Sequence, residues 1–238
     1  MSILSIRRFV KVVFGIAFAA AVSTTSLVHA QSFDVGLSID TVVPQDAFAD
    51  HVEENGYGLS ARGFFRPGNL PFKIGIEIGY ALYGSAHREE PFSLTVPDVT
   101  VRVVRYNQIL RANLVCRLQQ WYGRFAPYLD GSVGFNYLWT TTSAQSSDFH
   151  VGFASSTNLE DSAPAYGVGG GVMVRLYHAQ EKDITFSLDT GIRYQVGGEA
   201  DYLTEGADVL IGGTDVPYGT RTSETDFLLG RLGVVVSF

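Results

Sequence analysis

The chain has 238 residues, with 17 Lys and Arg against 24 Asp and Glu, a formal net charge of −7, 46% hydrophobic residues and a single Cys. The acidic balance excludes nucleic acid as an electrostatic partner, and one thiol excludes an intramolecular disulfide framework. Mean hydropathy is only +0.12, so the apolar residues are dispersed, as they are in a protein built from alternating strands.

The first thirty residues read as a secretory signal peptide. Arg7, Arg8 and Lys11 precede the apolar run Val12 to Val22, which leads to the small-residue cleavage pattern Val28-His29-Ala30. That run is well short of the ~20 residues of a spanning helix. The remainder, 31–238, is expected to form one domain.

From there the period is two. The first predicted strand, Phe33 to Val42, sets Phe33, Val35, Leu37 and Ile39 against Asp34, Gly36, Ser38 and Asp40. A second follows over Gly56 to Phe65. The third, Phe72 to Tyr83, puts Ile74, Ile76, Ile78, Tyr80 and Leu82 opposite Lys73, Gly75, Glu77 and Gly79. In the fourth, Val99 to Leu118, one face collects Arg105, Asn107, Arg111, Asn113 and Arg117, and the other Leu110, Leu114, Cys116 and Leu118. A helix would scatter those arginines around its axis, whereas a strand aligns them. Pro127 to Thr140, Ala165 to Tyr177, Ile184 to Val196 and Leu228 to Phe238 repeat the pattern.

The connections alternate in length. Those at Arg66 to Pro71, Gln119 to Ala126 and His178 to Asp183 are short; those at Val43 to Asn55, Gly84 to Asp98, Thr141 to Pro164 and Gly197 to Thr225 are long. An even number of antiparallel strands with short turns at one end and long loops at the other is the pattern of an eight-stranded, up-and-down transmembrane β-barrel. A soluble barrel of the lipocalin type shares the strand number but turns its apolar face inward. Aromatic residues favour the membrane orientation. Phe33, Phe72, Trp121, Tyr122, Phe125 and Phe238 collect at the short-turn ends, and Tyr83, Tyr106, Trp139 and Tyr194 at the other, as two interfacial girdles would.

These features, with the glycine-rich segment Tyr166-Gly167-Val168-Gly169-Gly170-Gly171-Val172 and a last strand ending on Phe238, resemble the small outer-membrane β-barrel family, which includes the membrane domains of the outer membrane protein A and outer membrane protein X type. The resemblance implies residence in the outer membrane, contact with its lipid and lipopolysaccharide, a monomeric barrel, and a role for Phe238 as the signal read by the barrel-assembly machinery.

On the inward face the expected polar network comprises Arg62, Arg105, Arg111, Arg117, Arg175, Arg193 and Arg231 with Asp40, Glu77, Asp130 and Asp189 as counter-charges. An eight-stranded barrel is only wide enough to be filled by its own side chains, and unpaired charges there would be costly. The predicted function is therefore a packed barrel with a structural or surface-interaction role, in adhesion or resistance. A narrow passive pore or small-ligand barrel is the alternative. The long segments are acidic, with Asp46, Glu53, Glu54, Glu89, Glu90, Glu160, Asp161, Glu199 and Asp201 among them, and an extracellular ligand is a possible partner. A lipid A acyl hydrolase or transferase would draw on His51, His87, His150, Ser147 or Ser155, but their spacing matches no acyl-transfer motif; no enzyme, metal or cofactor is expected.

Overall fold

A computed structural model describes residues 32–50, 52, 54–68, 70–93, 96–146, 152–179, 181, 183–203 and 220–238. The expected signal peptide, 1–30, lies outside the described residues. The elements are β1 (Ser32–Pro44), α1 (Asp46–Ala49), β2 (Gly56–Arg66), β3 (Phe72–Ser93), β4 (Val96–Gln119), β5 (Phe125–Ser146), β6 (Gly152–Ala179), β7 (Ile184–Gly197), β8 (Glu199–Leu203), β9 (Thr220–Glu224) and β10 (Phe227–Ser237). Eight of the strands close into a barrel in the order β1-β10-β7-β6-β5-β4-β3-β2, every neighbour antiparallel, while β8 and β9 form a separate hairpin between β7 and β10. Closure joins β1 to β10 through eleven consecutive register pairs, Asp34 with Ser237 to Pro44 with Phe227, so neither strand keeps a free edge.

The alternation orients the two faces without ambiguity. Leu129, Ile192 and Val168 are exposed by 64%, 63% and 68% on the outside, with Leu37, Ile39, Ile74, Ile76, Ile78, Leu114, Val133, Leu232 and Val234 exposed around the same wall. The intervening positions, among them Arg111, Asp189, Arg193 and Gln195, are buried in the lumen. This is the inverse of a soluble barrel. At roughly 1.5–3 kcal/mol for each large apolar side chain left in water, such a wall is stable only against lipid, and the chain is an integral membrane β-barrel.

Strand length divides the wall. The strands β1, β2, β7 and β10 have 13, 11, 14 and 11 residues, close to the ~9–11 that cross a bilayer at a tilt. In contrast β3, β4, β5 and β6 run for 22, 24, 22 and 28 residues. Within the segments Gly84 to Asp98 and Thr141 to Pro164, expected as loops, the described residues 84–93, 96–98, 141–146 and 152–164 therefore continue the sheet as strands. Their polarity reports a strand standing in water beyond the lipid rather than the end of a strand. Register shifts at Leu82/Gly84 and Thr140/Thr141 lie near the start of these extensions, where β-bulges commonly bend barrel walls.

The aromatic girdles are largely as expected, with two exceptions, the first being Trp121, which turns in over the lumen mouth and packs against Ala126, Tyr128, Met173 and Val235. Trp139 packs against Tyr80 (5.9 Å) and Tyr137 (5.4 Å) on the outside toward the long-strand end, and Tyr122, Phe125 and Phe238 are exposed at the short-turn end. Tyr83, expected in a girdle, points inward and is buried against Phe48, ring centroids 5.5 Å apart.

Candidate functional site

Long charged side chains fit inside this narrow lumen because glycine stands across from them. The register places Gly36 beside Arg62, Gly79 beside Arg111, Gly169 beside Arg193 and Gly191 beside Arg231. A methyl group added at Gly79 would lie 2.5 Å from Arg111 Nη2, and one at Gly36 would lie 3.1 Å from Arg62 Nε. Gly36 and Gly79 are thus sockets for guanidinium groups, while Gly191 makes room for the Tyr128 hydroxyl.

Most of the ion pairs cross the lumen rather than linking neighbouring strands. Arg193 on β7 donates to Glu77 on β3 at 2.6 Å, and Arg231 on β10 reaches the other Glu77 oxygen at 2.9 Å. Arg111 on β4 meets Asp40 on β1 at 2.6 Å, and Asp40 also accepts from Ser60 Oγ at 3.0 Å. Arg62 lies 2.6 Å from Asp189 across the lumen, a close ion contact lacking the alignment of a hydrogen bond, and donates to Ser38. Among the described residues, the pair between adjacent strands is bidentate: Arg117 Nε and Nη2 donate to Asp130 at 2.7 and 2.9 Å. Arg193 and Arg231 also approach Asp130 at 3.4 and 3.7 Å, which joins this pair to the Glu77 hub. Removing one member of such a network leaves an uncompensated buried charge, the costly event in a low-dielectric lumen.

Two further layers bound the network. Toward the short turns, the Arg117 guanidinium is sandwiched between the rings of Phe64 (4.4 Å) and Tyr128 (3.7 Å), beside Met173. Below it Lys73 donates to Asp34, both buried. Toward the long strands the lumen turns apolar: Val42, Ala81, Tyr83, Ile109, Leu138, Ala163, Phe227 and Leu229 are all buried, and Phe48 of α1 drops into them from above with no exposed surface. The helix lies over this mouth because Gln45 continues the β1 pairing, donating its backbone N–H to Asp226 O at 2.9 Å, before the chain turns at Asp46 with φ +49°.

Of the residues expected in the network, Asp40, Arg62, Glu77, Arg111, Arg117, Asp130, Asp189, Arg193 and Arg231 are brought together as described. Arg105 is buried farther up β4, two positions beyond Asn107, which accepts from Thr140 at 2.9 Å. Arg175 stands apart: it is only partly buried, has no carboxylate within 4 Å among the described residues, and lies over the Trp121 ring at 4.4 Å at the short-turn mouth. A bulge between Arg175 and Tyr177 shifts the register there. Sequence reasoning missed the Lys73–Asp34 pair, although both residues sit on the polar phase of their strands, and it missed the apolar plug. The signal for the plug was present in Val42, Ile109, Leu138 and Leu229, apolar residues that fall on the inward phase. Of the residues considered for acyl chemistry, His51, Ser147 and His150 lie outside the described residues, while His87 and Ser155 have strand backbone. Cys116 is exposed on the outer wall.

No protein-family model matches the chain, and neither does any curated protein. Among solved structures it is similar to Neisserial surface protein A (11% identity, 87% of this chain and 95% of that one, TM-score 0.40). It is also similar to a major outer membrane protein from Thermus thermophilus (12% identity, 88% and 100%, TM-score 0.49). A third is the translocator domain of the autotransporter NalP from Neisseria meningitidis (8% identity, 98% and 97%, TM-score 0.30).

Proposed function

We propose that this protein is a sealed outer-membrane barrel that carries a raised surface for interaction outside the cell. Four strands of bilayer length tie it into lipid, and four strands of about twice that length lift a wall of paired backbone clear of it. The observation that carries this reading is the lumen: the inward arginines are ion-paired across it, and Phe48, Tyr83, Phe227 and Leu229 close the mouth on the long-strand side. A filled lumen favours a structural or surface-interaction role in adhesion or resistance over a passive pore, and the reading contains no catalytic step. The barrel is taken to be monomeric, to lie among phospholipid and lipopolysaccharide, and to be recognised through Phe238 by the barrel-assembly machinery.

Reconstitution into planar bilayers tests the sealed lumen. The expected record is flat, and discrete conductance steps abolished by Arg111→Ala or Arg193→Ala would return the passive pore. On intact cells, protease is expected to cut within the long connections and to spare Gln119 to Ala126; cleavage there inverts the proposed topology.

A further inference from the structure

At the short-turn mouth, where Ser32 and Phe238 lie, the lumen opens into a cleft of about 150 Å³ whose lining includes Arg66, Lys73, Arg175, Asp34 and Trp121. The register shows how the rim is built. Arg66 at the end of β2 is paired with Ser32 on β1; Asp34 on β1 with Ser237 on β10; Ser237 with Thr185 on β7; and Thr185 with His178 near the end of β6, which also carries Arg175. Two arginines therefore stand at either end of an arc of hydroxyl-bearing residues. The β4–β5 turn brings Trp121 over the Arg175 guanidinium at 4.4 Å and fixes its plane.

Charge in this cleft is not paired as it is in the lumen above. Lys73 pairs with Asp34, whereas Arg66 and Arg175 form no ion pair among the described residues, although the exposed Asp183 of the β6–β7 turn and the α-carboxylate of Phe238 share the lining with them. The unmet hydrogen-bonding capacity is mainly of one kind: Arg66 Nε, Arg175 Nε and Ser32 Oγ are shielded from solvent yet have no partner. Nε is likewise unpartnered at Arg62, Arg111, Arg193 and Arg231 in the lumen, but the terminal nitrogens of those four are ion-paired; Arg66 and Arg175 have no ion pair, so their forfeited hydration favours an acceptor between them. Asp34 Oδ1, likewise without a partner, repels an anion from the lumen beneath and confines it to the rim.

We infer that this mouth is a binding site for a small oxyanion of the phosphate or carboxylate type, held in the forks of Arg66 and Arg175 with Ser32 beside them. Planar guanidinium groups match the geometry of both anions, and charge-assisted hydrogen bonds strengthen in a partly desolvated cleft. The site is independent of what the projecting wall binds.

Trp121 supplies the reporter. In the full barrel held in a phosphate-free maltoside micelle, the Trp121 indole resonance is followed by NMR during titration with sodium phosphate, sodium acetate or dihexanoyl phosphatidic acid, with Trp139 as a distant reference. The expected result is a saturable shift of Trp121 in the millimolar range with Trp139 unmoved. In Arg66→Gln, which leaves the Arg175–Trp121 contact in place, affinity is expected to fall about tenfold, the size of one lost charge-assisted hydrogen bond. Saturation by inorganic phosphate or acetate identifies a soluble anion; saturation by the phosphatidic acid alone identifies a lipid headgroup. An equal response to sodium chloride at matched ionic strength, no saturable shift, or undiminished affinity in Arg66→Gln overturns the site. The heat-modifiable band on unboiled gels shows in each case that the barrel is folded.

Discussion

The two mouths of the barrel are closed by different physics. On the long-strand side, Phe48, Tyr83, Phe227, Leu229 and Leu138 pack into an apolar plug with no charged member. On the short-turn side the lumen runs from the Arg117–Asp130 pair through Lys73 and Asp34 into an open cleft in which Arg66 and Arg175 have no ion pair among the described residues. An apolar plug is stable whether or not a ligand is present, because it needs only burial. A cleft lined with unpartnered donors is incomplete without an acceptor. The contrast teaches that the same inward phase of eight strands holds a seal at one end and a receptive surface at the other, with the ion-pair network as the spacer between them.

Substitutions distinguish these regions by size of effect. Glu77→Ala strips the counter-charge from Arg193 and Arg231 together and is expected to cost about 3–5 kcal/mol, the range for breaking a buried pair, measured by urea unfolding of the refolded barrel. A loss under about 1 kcal/mol would mean that water already screens the hub. Leu229→Ala in the plug is expected to cost roughly 2–5 kcal/mol through lost burial and a residual cavity, and to be the change that first admits conductance in planar bilayers. Gly79→Ala should destabilise by ~1–3 kcal/mol because its methyl collides with the Arg111 guanidinium, and combining it with Arg111→Ala should relieve that cost in a double-mutant cycle. Arg66→Gln at the open mouth is expected to change stability by no more than about 0.5 kcal/mol, since no ion pair is broken. A large loss there would make Arg66 part of the barrel's own structure and erase the distinction between the mouths.

Much of the architecture was legible because a membrane barrel writes its two solvents into alternate residues. Ile74, Ile76 and Ile78 against Lys73, Glu77 and Gly79 state both the strand and its faces, and the short connections mark one end of the barrel. The extensions of β3 to β6 were misread because a strand in water on both sides loses the apolar alternation that announces it. Tyr83 was misplaced for a related reason: its aromatic ring suggested an interface, but its odd position on β3 put it in the lumen. Arg175 shared the network's inward phase, yet a bulge and the Trp121 turn drew it to the rim.

The sequence by itself determined which side chains meet lipid and which meet the lumen, because side-chain direction in a strand is a local property with a period of two. Which arginine finds which carboxylate was decided only by closure of the barrel. Glu77 and Arg193 are separated by 116 positions and face one another across the lumen, and Asp40 and Arg111 by 71. Their meeting depends on the tilt and stagger that close eight strands into a ring, a global constraint that no single strand contains. The same closure placed Phe48 over one mouth and left Arg66 and Arg175 open at the other.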